Sequence, residues 1–150
     1  MKSEVVQLVI ALGALVFGGA AEELLPKFPG VGFPMLLMAC IYMATKRGVW
    51  QMFMFAACAG AVEDSIASLP WATSIAFFCI VAAFVRTTEL EWGAYAFAFP
   101  LYQLWVRMWS ANLAGGIFSR FLLAIPVGVV TAICVRWLLR HMDRKGAVDE

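Results

Sequence analysis

VWQMFMFAACAGAVEDSIASLPW, residues 49–71, carries a tryptophan near each end and no charge until Glu63 and Asp64. A helix needs about 20 residues to cross a hydrocarbon core of about 30 Å at 1.5 Å per residue, and Trp50 and Trp71 stand about that far apart. Its uncharged part, 49–62, is shorter. The helix must therefore extend into the polar residues that follow or thin the bilayer locally. Continued to Pro70, it carries Asp64 about 21 Å along from Trp50, about 10 Å short of the boundary that Trp71 marks. An unpaired acid at that depth costs several kcal/mol, so the reading turns Asp64 toward a bundle interior with a partner. The alternative stops the helix at Val62 and leaves both acids in a wet loop.

The wheel of this helix favours the interior placement. Ala56, Gly60 and Asp64 recur at i, i+4 and i+8, a small, small, acidic stripe on which another helix can dock closely. The candidate counter-charge is Arg107, which ends a later apolar stretch on the same side. Its alternative role is snorkelling to lipid phosphates. Glu63, Ser65 and Ser68 complete the polar cluster as secondary candidates.

Working outward, five more apolar stretches occupy roughly 5–21, 31–44, 73–85, 95–108 and 121–135. With 63% hydrophobic and 14% charged residues and a mean hydropathy of +0.86, the chain has too little polar surface to wrap a water-soluble domain of 150 residues. The pattern predicts an all-α integral membrane protein of six short transmembrane helices in a compact bundle. The transmembrane domain covers 1–140, and 141–150 forms a short cytoplasmic tail.

Orientation follows from the basic residues. With the N-terminus inside, Lys2, Lys46, Arg47, Arg86, Arg136, Arg140, Arg144 and Lys145 lie on the cytoplasmic side, and Lys27, Arg107 and Arg120 outside. Both termini are then cytoplasmic. Trp50, Trp71, Trp92, Trp109 and Trp137 fall at the expected span ends, where indole rings prefer the headgroup region. The first stretch also has traits of a secretory signal, with Lys2 before an apolar run and Gly18, Gly19, Ala20 and Ala21 at its end. Its length and its single basic residue favour a retained span. Pro100 and Pro126 lie within spans five and six and are expected to kink them.

Chemistry-bearing motifs are scarce. Cys40, Cys58, Cys79 and Cys134 are widely spaced and read as small apolar core residues. His141 reads as a solvated neighbour of Arg140. There is no nucleophile elbow, HExxH or phosphate-cradling glycine loop, and no second histidine to act as a base or ligand. The expectation is a non-enzyme with no catalytic residues, no metal, no cofactor and no nucleic-acid partner.

Between Pro34 and Phe84 the chain resembles the MreD family, small integral membrane proteins of the bacterial rod-shape machinery. The resemblance is carried by Pro34-Met35-Leu36-Leu37, Ile41-Tyr42-Met43-Ala44, Lys46-Arg47-Gly48 and above all Ala59-Gly60-Ala61-Val62-Glu63-Asp64 with Ser65-Ile66-Ala67-Ser68. Glu63 stands where that family usually has an apolar residue, and Leu69-Pro70 replaces a Leu-Gly-like turn. The resemblance implies a multi-pass scaffold of the bacterial inner membrane that organises lateral peptidoglycan synthesis. Its implied partners are MreC, the MreB filament, a RodA-type glycosyltransferase and a class B penicillin-binding protein, besides membrane lipid.

The competing expectation is the substrate-binding component of an energy-coupling-factor vitamin transporter, whose helical fold the MreD family resembles. Such components typically dock their coupling subunit through a small-residue face on the first helix. The comparable register here is Ile10, Ala14 and Gly18, a partial match. A transporter also needs a pocket of converging polar side chains.

Overall fold

The computed structural model describes residues 2–25, 32–110 and 117–148, and the side chains of 4–25, 32–109 and 119–144. Among these residues the chain is all-helical. The helices are α1 (Lys2–Leu24), α2 (Met35–Lys46), α3 (Val49–Ile66), α4 (Thr73–Thr88), α5 (Glu91–Ser110) and α6 (Ile117–Val148). Two are long and apolar enough to cross a membrane: α1 over Glu4–Leu24 and α6 over Ser119–Arg144, with mean hydropathies of 1.9 and 2.2.

Helix α2 organises the rest. Its 12 residues rise only about 18 Å, yet Leu36 to Ala44 are all buried. A helix that is apolar all round belongs inside, and α2 packs against each of the other five. Those five close a ring around it in the order α1, α3, α4, α5, α6 and back to α1. The length of α2 is thus set by its neighbours.

Consecutive helices run antiparallel, which sorts the polar residues to two ends. At one end Arg47 pairs with Asp143 at 2.6 Å, Tyr42 donates to the same carboxylate at 2.7 Å, Arg86 donates to the carbonyls of Ala44 and Arg47, and Arg136 pairs with Glu91. This basic end also holds the start of α1, where Glu4 and Gln7 line a groove with Arg47 and Trp50. The start of α1 and the last turns of α6 therefore share one end. The opposite, acidic end gathers Glu22, Glu63 and Asp64.

Several expectations change. Helix α3 runs past Val62 to Ile66, so Asp64 is helical but Ser68 is not. Residues 141–148 continue α6 as helix; Ala132, Val135 and Leu139 keep a buried face, and Asp143 is tied to Tyr42 and Arg47. Cys40 is buried and Cys79 half-buried, but Cys58 and Cys134 lie on the outer surface, where a small apolar side chain is equally at home. The five tryptophans expected at span ends are all exposed. Pro100 and Pro126 do sit inside helices.

Candidate functional site

The Ala56, Gly60 and Asp64 stripe faces inward, and the helix docked on it is α4 of the same chain. Ala56 and Gly60 are buried. A Cβ added at Gly60 would lie 2.5 Å from Ile75 Cα and 2.6 Å from its amide nitrogen. Only glycine allows the start of α4 to come this close.

That approach delivers the first turn of α4 to Asp64. The residue at its N-cap, Ala72, has no polar side chain, so the amides beyond it need an outside acceptor. Asp64 supplies one, with Oδ1 accepting from the Ser74 amide at 2.7 Å while the residue is only 6% exposed. A carboxylate at a helix N-terminus also meets the positive end of the macrodipole. Where the sequence suggests an ion pair with Arg107, the hydrogen bond that Asp64 accepts comes from the first turn of α4. The ion pairs among the described residues are Arg47 with Asp143 and Arg136 with Glu91. Arg107 is half-buried near the end of α5.

A second carboxylate does the same for α2. The N-cap of α2 is Pro34, again without a capping side chain, and Glu22 Oε1 accepts from the Leu36 amide at 2.7 Å. Leu36 and Ser74 occupy the same second position of their helices. Four residues before Glu22 stands Gly18, whose added Cβ would lie 2.9 Å from Leu36 Cδ2, and four before Asp64 stands Gly60. Both hairpins, α1–α2 and α3–α4, therefore use one device: Gly-x-x-x-acid near the end of the first helix clasps the start of the second.

Hydrogen bonds extend the Asp64 clasp toward the other. Ser74 Oγ and Tyr102 Oη lie 2.6 Å apart, and Tyr102 donates to Glu63 Oε1 at 3.3 Å. Glu63 and Glu22 line one cavity beside Tyr102. Trp105 Nε1 donates to the Thr73 carbonyl at 2.9 Å, and Thr73 Oγ1 to the Pro70 carbonyl at 2.8 Å. Helices α3, α4 and α5 thus meet in one polar network, with the Glu22 clasp of α1 and α2 beside it.

Of the secondary candidates, Glu63 belongs to this network. Ser65 is exposed and bonds back to the Ala61 carbonyl. Ser68 lies in the turn with φ 52°, where the Leu69 amide reaches the Asp64 carbonyl and closes α3. Sequence reasoning missed Glu22, Ser74 and Tyr102. The signal for Glu22 was present, since Gly18-x-x-x-Glu22 repeats the pattern of Gly60-x-x-x-Asp64. Ser74 and Tyr102 carry no spacing that marks them.

Beside the network is a cavity of about 200 Å³, lined by Glu22, Glu63, Tyr102 and Gln103 on its polar side and by residues such as Leu37 and Phe99 on its apolar side. Among the described residues no group of three metal-ligating side chains converges. No protein-family model matches the chain, and neither a curated protein nor a solved structure does.

Proposed function

We propose that the chain is a scaffold subunit of the bacterial cell-elongation machinery, threaded six times through the inner membrane with both termini cytoplasmic. In this reading it organises lateral peptidoglycan synthesis by helix–helix docking with an MreC-type partner, and through it with a RodA-type glycosyltransferase, a class B penicillin-binding protein and the MreB filament. The observation that carries the reading is the use made of residues 59–68, the centre of the resemblance to MreD. Gly60 and Asp64 are spent on holding α4, and the acids around them on holding the bundle, which suits a subunit whose task is to keep a shape. The inward turn of the Ile10, Ala14 and Gly18 face also favours it. Ile10 is buried, Gly18 abuts Leu36, and Ala14 and Gly18 are half-buried, so this register offers a coupling subunit little to grip. The opposite face of α1, with Leu8, Leu12, Val16 and Phe17 more than half exposed, is open to a partner helix or to lipid.

One observation favours the transporter reading, namely the cavity with four polar side chains converging on it. Deleting the gene in a rod-shaped host separates the two. Rounded or widened cells, with an MreC-type protein copurifying from native membranes, are the expected outcome. Normal shape with lost uptake of one micronutrient would establish the transporter instead.

A further inference from the structure

Helix α6 carries Arg136, Arg140 and Arg144 at i, i+4 and i+8, three guanidinium groups stacked along one face at the basic end. With Trp92 of α5 they line a groove of about 320 Å³. Like charges at this spacing repel one another. The first is matched, because Arg136 pairs with Glu91 and lies 4.7 Å from the centre of the Trp92 ring. Arg140 and Arg144 are exposed and form no ion pair among the described residues, and no acidic side chain lines the groove. The groove is therefore a built concavity holding at least two positive charges that the described part of the chain does not neutralise.

Its surroundings specify the kind of anion. Trp92 and Trp137 are 60% and 68% exposed, and Trp137 stacks on His141 with ring centroids 5.7 Å apart. Exposed indoles beside arginines at the end of an apolar helix mark the headgroup level of a bilayer. Ile133, one turn nearer the apolar centre of α6, lines the same groove and is 53% exposed. A ligand seated here meets guanidinium groups at one end and an apolar floor at the other.

We infer that this groove binds the phosphate of an anionic phospholipid, with the start of an acyl chain lying over Ile133 and Trp137. Basic pockets between helices at the cytoplasmic end take such headgroups. The inference rests on α6 spanning a membrane and is independent of the scaffold role. It predicts a fixed lipid at the α5–α6 seam rather than a diffuse charge attraction.

The test uses the full chain purified in detergent, with phosphatidylglycerol, cardiolipin or phosphatidylcholine added and retention read by native mass spectrometry alongside melting temperature. Anionic lipid should be retained and raise the melting temperature at concentrations where phosphatidylcholine does neither. The Arg140→Ala, Arg144→Ala double variant should lose about 30-fold in that preference while its melting temperature without lipid is unchanged. Arg120→Ala, at the other end of α6, should keep the preference. Equal retention of the two lipid classes would overturn the inference, as would an equal loss in the Arg120 variant. Displacement of the lipid by millimolar inorganic phosphate would assign the groove to a free anion and overturn the lipid assignment. Failure of α6 to span a bilayer is read separately, by labelling cysteines on either side of it.

Discussion

At the scale of single residues, the decisive positions are Gly60 and Asp64. A methyl group at Gly60 would collide with backbone rather than with a side chain that can swing away. Gly60→Ala should therefore destabilise the bundle by about 3 kcal/mol, the upper end of the range for overpacking, whereas Gly48→Ala, with nothing within 4 Å, should change little. Thermal unfolding in detergent compares the two. Asp64→Asn keeps an oxygen acceptor for the Ser74 amide and Asp64→Ala removes it, so Ala should cost about 1–2 kcal/mol and Asn visibly less. Because Asp64 draws its hydrogen bond from α4, the Asp64→Ala and Arg107→Ala effects should add. Non-additivity above about 0.5 kcal/mol would restore the ion pair that the sequence alone suggests. The burial of Asp64 and the small-residue stripe were readable because both follow from helical continuation and periodicity. Its partner was not, since a backbone amide leaves no mark in a sequence.

At the scale of elements, the repeated Gly-x-x-x-acid clasp explains how two hairpins close without capping side chains at Pro34 or Ala72. Glu22→Ala should then weaken the α1–α2 hairpin by about 1–2 kcal/mol, much as Asp64→Ala weakens α3–α4. Hydrogen exchange resolved by segment would show which hairpin loosens in each variant. The turn after α3 offers the opposite sign. Ser68 holds a left-handed conformation that costs a non-glycine residue about 1 kcal/mol or more. Ser68→Gly should raise the melting temperature, with a net gain of about 0.5 kcal/mol after the added freedom of the unfolded chain is set against it. All six helices were legible from hydropathy, but the full reach of α6 was not. Its last turns are charged on one face and packed on the other, and the charges of Arg140 to Arg144 masked the apolar register of Val135, Leu139 and Met142.

At the scale of the molecule, the ring of five helices around α2 accounts for what a span-by-span reading finds difficult. A helix of 12 residues is too short to face lipid across a whole bilayer, but α2 is enclosed on every side, with its first turn bonded to Glu22 and Tyr42 near its other end bonded to Asp143. Arg47, Arg86, Arg136, Arg140 and Arg144 lie at one end, and Glu22, Glu63 and Asp64 lie with Arg107 and Arg120 at the other, a polarity that matches the basic asymmetry of the sequence. That polarity is the central claim, because the scaffold reading depends on it. Single cysteines at Lys46, Glu89 and Ser68, in a background with the four native cysteines replaced, measure it most directly through a membrane-impermeant thiol reagent on intact and opened cells. Lys46 and Glu89 should label only after the membrane is opened and Ser68 in intact cells. Labelling of Lys46 and Ser68 from the same face would contradict the six-span account.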